Sequence, residues 1–288
     1  MVSLETHAFT PLAPSRLLDT RNGVRPGPGT TVDVTVVGVP GDAAIAVLNL
    51  TAVNTAGAGY ITAFAKGATR PVTSHLNVDK VGQTRANQVT VAIGTDRMVS
   101  LFTDAGTHFV VDLAGYYAPA QTSSSGRFIT LRPSRVLDTR RTATKPAALS
   151  TTVLPIVGVG GVPANATAVT VNITATAADG SGFVIAFPGG ARPQASTINL
   201  DDVGQTRANL ATIPVAADGT VSLFTQPSTH LIVDLLGFYT GSDAPNVRAG
   251  LFAPLAERLL DTRTAARTIA GADTLLPLGA ASGAALRL

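Results

Sequence analysis

The sequence predicts an all-β protein: tandem antiparallel β-sandwich domains with jelly-roll or Greek-key connections and very little helix. Three observations carry this. Short apolar or alternating runs recur at roughly 10–14-residue spacing, separated by Gly, Pro, Asn and Asp turn signals. Charged residues are 14% of the chain, well under the quarter usual for a soluble domain, and Ala, Thr, Val, Gly and Pro replace them. No segment keeps a helical period long enough to compete.

Taken in order, Phe9 to Arg21 reads F-T-P-L-A-P-S-R-L-L-D-T-R. Proline cannot donate within a central ladder, so this extended segment is expected along a sheet edge or across the end of a sandwich. Asn22 to Gly29 is a turn-rich loop. Val32, Val34 and Val36 then share one face of a half-buried strand. After a turn at Gly38 to Asp42 comes the longest strand, on which Val47, Asn49 and Thr51 face one way and Leu48 and Leu50 the other. Further strands are expected at Tyr60 to Phe64, Ser74 to Val78, Asn87 to Ile93, Val99 to Thr103 and His108 to Tyr117.

The opening segment occurs three times, returning at Phe128 to Arg140 and, one residue shorter, at Phe252 to Arg263. Arg16 to Arg135 spans 119 residues and Arg135 to Arg258 spans 123, the length of a domain rather than of a solenoid unit. V-N-I-T at Val171 repeats L-N-L-T at Leu48, and V-S-L-F-T occurs identically in both copies. Ser196 to Asn209 matches Ser74 to Asn87, and Thr229 to Tyr239 matches Thr107 to Tyr117. The predicted organisation is a first sandwich at 1–119, a Ser-rich linker of flexible composition at 120–127, a second sandwich at 128–241, a linker at 242–251, and an incomplete third repeat at 252–288. Two strands alone cannot bury a face, so the last segment is either a truncated domain or strands packed on the second sandwich.

The net charge is +3, only Lys66, Lys80 and Lys145 are lysines, and there is no basic run. With aromatics at 5%, a nucleic-acid groove is not expected. There is no cysteine, which removes disulfides and thiolate metal sites. No cofactor is expected, and sparse carboxylates argue against a calcium cage, Asp201-Asp202 being the one adjacent pair. No apolar run reaches the roughly 18 residues of a membrane span, so membrane insertion is not expected. The first residues, M-V-S-L-E-T-H-A, lack a signal peptide's basic and apolar regions, which suits an intracellular or virion-borne chain or a secreted one whose signal lies outside this sequence.

Polar residues common to both copies are the candidates for chemistry. Arg16, Asp19 and Arg21, with Arg135, Asp138 and Arg140, place two guanidiniums beside one carboxylate. That pattern could hold an anion, but the first reading is structural, since an irregular segment must satisfy its own polar groups. His108 and Asp112, like His230 and Asp234, are four apart on a strand and so about 13 Å from each other, too far for a shared metal or a catalytic dyad. They too are read as structural. The loop G-Q-T-R-A-N supplies Gln83, Arg85 and Asn87, and Gln205, Arg207 and Asn209. Bracing of the next hairpin is the first reading here, yet these six are the best binding candidates, because loops at one end of a sandwich are the usual binding edge. Tyr60, Tyr116 and Tyr117 are read as core rather than as a sugar-stacking face.

The F-x-P-L-x-P-x-R-L-L-D-T-R signature, L-N-L-T, G-Q-T-x-x-N and the closing H-x-V-V-D-x-x-G-Y-Y together resemble a repeat common at the C-termini of secreted and surface proteins of high-GC Gram-positive bacteria. The resemblance covers nearly the whole chain. It implies an accessory extracellular module and no reaction. The expected function is therefore a non-catalytic structural or adhesive module that presents, or docks onto, a polysaccharide or protein surface. A cell-wall polysaccharide-binding module is the second reading and a virion fibre or decoration protein the third, the last implying a homo-oligomer.

Overall fold

The computed structural model describes residues 6–120, 124–142, 144–244, 250–252 and 261. Within them the chain is all-β: sixteen strands in four antiparallel four-stranded sheets, with a single three-residue 3-10 turn at Thr95–Arg97. The first copy supplies β1 (His7–Asp19), β2 (Thr30–Thr35), β3 (Ile45–Val53), β4 (Gly59–Ala65), β5 (Leu76–Val78), β6 (Arg85–Ala92), β7 (Met98–Thr103) and β8 (His108–Pro119). The second supplies β9 (Phe128–Asp138), β10 (Ser150–Pro155), β11 (Ala166–Thr176), β12 (Gly182–Phe187), β13 (Ile198–Leu200), β14 (Arg207–Pro214), β15 (Thr220–Thr225) and β16 (His230–Thr240).

The strand orders β1-β8-β3-β6 and β2-β7-β4-β5 recur as β9-β16-β11-β14 and β10-β15-β12-β13. Each copy is thus an eight-stranded jelly roll, which decides between the two connection schemes the sequence left open. The Pro-containing signature forms the edge strand of its sheet, and its ladder with β8 slips between Pro11 and Ser15 and again between Arg16 and Leu18. Those slips let two prolines and a crowded polar cluster sit where no continuous ladder is needed.

Each sandwich has its own core. In the first, Leu48 and Leu50 of β3 pack with Leu101, Phe109, Val111 and Leu113. In the second, Ile173 packs with Ile213, Leu223, Leu231 and Leu235. Every such fully buried side chain contributes about 1.5–3 kcal/mol. The sheet must also lie close to the edge strand. A Cβ on Gly115 would stand 2.5 Å from the Phe9 ring, and one on Gly237 would stand 2.5 Å from the Phe128 ring.

The other face of β3 is covered as well. Val47 joins Phe9, Tyr117, Ala168 and Tyr239 in a third apolar cluster that spans both sandwiches, and the two tyrosine hydroxyls are 2.8 Å apart. Burial pushes both phenols above their ordinary pKa, so each stays neutral and hydrogen-bonded. The sandwiches are therefore docked, not strung loosely. The 120–127 stretch differs from its flexible composition in its second half: Ser124 and Arg127 are buried, and the Gly126 carbonyl accepts from Phe9 N–H at 2.9 Å. Residues 121–123 of that linker, and most of the third repeat, lie outside the described residues. Phe252 of the third repeat packs on the first sandwich, where it pairs with His7 and stacks on Tyr117 at 4.7 Å.

Candidate functional site between the sandwiches

Arg16 leaves β1 at a register slip and turns toward β8. Its Nε donates to Asp112 Oδ1 at 2.5 Å, its Nη1 to Asp19 Oδ2 at 2.8 Å, and its Nη2 to the Gln194 carbonyl of the second sandwich. Arg21 grips Asp19 bidentately at 2.8 and 2.5 Å and donates its backbone N–H to the same carboxylate. The Arg21 guanidinium holds the Asp19 carboxyl down at a pKa of about 2. Asp112 is different: its side chain is 1% exposed, and burial pushes its carboxyl up against the pull of Arg16. One of its oxygens, Oδ2, has no hydrogen-bond partner among the described residues.

The second copy repeats the constellation with one change. Arg140 holds Asp138 at 2.8 and 2.7 Å, far below the usual carboxylate range. Arg135, however, spends both Nε (2.8 Å) and Nη2 (3.1 Å) on its own Asp234, which is 26% exposed. His108 and His230 each place Nδ1 near the signature threonine, at 3.3 Å from Thr20 Oγ1 and 3.1 Å from Thr139 Oγ1. Histidine and aspartate of the H-x-V-V-D segment thus serve two points four residues apart at the C-terminal end of the edge strand.

Most of the G-Q-T-R-A-N side chains bond within their own sandwiches, but Asn209 Oδ1 reaches across to accept Gln88 N–H at 3.4 Å. Gln83 Oε1 accepts Asp79 N–H at 2.8 Å and Gln205 Oε1 accepts Asp201 N–H at 2.7 Å. Asn87 donates to the His75 carbonyl at 2.6 Å and Asn209 to the Thr197 carbonyl at 2.8 Å. Arg85 donates to the Asn77 carbonyl at 2.8 Å, while Arg207 stands 3.8 Å from Asp201. Tyr60 packs on Phe102 with ring centroids 5.9 Å apart.

Further residues complete the junction. Gln88 on β6 donates to Thr212 Oγ1 (3.2 Å) and accepts Thr212 N–H (2.7 Å) on β14. Asn49 donates to the Ser196 carbonyl. Asp201 accepts Thr84 N–H at 3.0 Å, and Asp202 pairs with Lys80 at 3.0 Å. Both carboxylates of the adjacent pair are thereby committed to the neighbouring sandwich. Among the described residues, no three His, Asp or Glu side chains gather where a metal ion could be held. The sequence signal for this junction was slight. Strand β3 is low in charge on both faces, which marks a sheet covered on both sides, but nothing local names its cover.

Above these contacts opens a cleft of about 850 Å³. Arg16, Arg21, Thr51 and Lys80 line it from the first sandwich, and Phe183, Arg192, Asn199 and Asp202 from the second. Most of its cations are already neutralised by carboxylates, and the Arg192 guanidinium lies 3.9 Å over the Phe224 ring. The walls offer oriented N–H donors, an amide and an aromatic edge rather than a concentrated positive field.

No family model and no curated protein matches the chain. Among solved structures it is similar to the N-terminal CBM22-1-CBM22-2 tandem domain of Xyn10C from Paenibacillus barcinonensis. The identity is 10%, the match covers 82% of this chain and 97% of that one, and the TM-score is 0.23. A likeness that loose carries no inference for this chain. No helix among the described residues is long and apolar enough to cross a membrane.

Proposed function

We propose that the chain is a non-catalytic structural or adhesive module, of extracellular setting, whose repeats dock on one another to present a continuous surface. One observation carries this reading: the duplicated signature is spent on packing. Arg16 bonds β8, the end of its own strand and the next sandwich at once, and the Asp19 and Asp138 carboxylates are held by Arg21 and Arg140. Light scattering during size-exclusion, followed by passage over immobilised cell-wall polysaccharide, tests it. A defined species that passes without retardation is the expected result. Turnover of a glycan would overturn the reading.

A second reading is favoured by the cleft. A volume of about 850 Å³ with arginine planes, an amide and Phe183 on one wall suits a polyhydroxylated chain, which is bound through hydrogen bonds and ring contact. Retardation on the polysaccharide column that is lost in both Asn199→Ala and Phe183→Ala would establish it. Retardation unchanged in both would place binding elsewhere.

A further inference from the structure

The three signatures begin with equivalent triplets, His7-Ala8-Phe9, Gly126-Arg127-Phe128 and Gly250-Leu251-Phe252. Their backbones follow one rule. Phe9 N–H donates to the Gly126 carbonyl (2.9 Å), Phe128 N–H to the Gly250 carbonyl (2.8 Å), and Phe252 N–H to the His7 carbonyl (2.9 Å). Each phenylalanine therefore bonds the first residue of the next triplet, and the third bonds back to the first. Glycine is required at two of these seats: Gly126 and Gly250 have φ of +71° and +87°, and a Cβ there would stand 2.3 and 2.4 Å from the Phe9 and Phe128 carbonyl oxygens.

The side chains keep the same order. Phe9 packs on Tyr239 of the following copy at 4.4 Å, and Phe252 packs on Tyr117 of the first copy at 4.7 Å. Successive head-to-tail contacts build an open helix unless the rotation closes, and here the third step returns to the first.

We infer that the repeats close a ring about a pseudo-three-fold axis, whose third sector is a docking site for a third sandwich of the same repeat entered through Phe252. The junction between the first two sandwiches differs from its counterpart on the second among the described residues. Arg16 reaches the following sandwich, and its partner Asp112 is buried; the equivalent Arg135 folds back on Asp234, which is 26% exposed. Leu210 stands where Gln88 makes its junction contacts, and it is 41% exposed. A third sandwich in this sector meets Arg135 and Leu210 as the second meets Arg16 and Gln88.

The inference rests on the docking reading above. Loss of contact between the first two sandwiches in solution would sink both, whereas an undocked third copy beside an intact pair sinks this one alone. The test appends a duplicate of residues 141–240 after Arg263 and compares that chain with the 288-residue one. Docking gives a monomer with a radius of gyration near the roughly 21 Å of a compact chain of about 360 residues. Arg135→Ala then lowers the melting temperature of the extended chain by several degrees more than that of the shorter one. A beaded scattering profile, or an equal effect in both, overturns the inference.

Hydrogen exchange on the 288-residue chain decides the matter if the extended chain does not fold. The His7 and Phe252 amides are expected to exchange at least about tenfold slower than unstructured amides, and Phe252→Ala is expected to release His7 while Val111 stays protected. Exchange of Phe252 at the unstructured rate overturns the ring.

Discussion

Arg16→Ala is the most informative single perturbation. It removes a 2.5 Å charged hydrogen bond from an aspartate whose side chain is 1% exposed and whose other oxygen already lacks a partner among the described residues. Breaking a buried pair by deleting one member costs about 3–5 kcal/mol, because the remaining charge is left in a low dielectric. Arg16 itself is 28% exposed, which places the loss at the lower end, about 3 kcal/mol. For a cooperative unit of both sandwiches that is a fall of roughly 6–12 °C in melting temperature.

The sign of the pH dependence follows from Asp112. Burial raises its folded pKa, so the penalty is full above that pKa and shrinks as pH falls toward the unfolded value of about 3.9. Arg135→Ala is the internal control: Asp234 is 26% exposed, so solvent screens the charge left behind and the same substitution should cost clearly less than Arg16→Ala. Calorimetry on both variants and on Arg16→Ala/Asp112→Asn supplies the assay. Equal losses at the two arginines, or no recovery on neutralising Asp112, would refute the reasoning.

Other substitutions probe separate links. Gln88→Ala deletes both side-chain bonds to Thr212 and strands its N–H, a loss of about 2–3 kcal/mol read as separation of one unfolding transition into two. Gly115→Ala drives a methyl into the Phe9 ring and should cost about 1–3 kcal/mol in denaturant titrations, with Gly237→Ala matching it. His75 accepts Ala63 N–H at 3.1 Å and burial lowers its pKa, so the unfolded chain binds the proton first and stability falls as pH drops below about 6.5. Thr197 does the same work in the second copy at 2.9 Å, so His75→Thr should flatten that limb in a pH series of melting temperatures. Asp19, held at about 2, contributes stability that is present above about pH 3.9 and is lost as pH falls toward 2; Asp19→Asn should weaken that acid limb.

The local pattern alone determined the all-β class, the position of nearly every strand, the edge placement of the signature and the duplication. Period-2 alternation and turn residues are properties of a few neighbours, so Leu48 and Leu50 could be set against Val47 and Asn49 without knowing what covers either face. The pairing of Asp19 with Arg21 was equally legible, because the two lie two residues apart. What covers the outer face of β3 was decided only in three dimensions. Gln88 meets Thr212, Arg16 meets Gln194 and Asn49 meets Ser196 across more than a hundred residues, and no periodicity records such a pairing. The ring of triplets is the same kind of fact. Three similar beginnings are visible in the sequence, but that the third returns to His7 depends on the rotation between docked sandwiches, which is set by packing and not by any one segment.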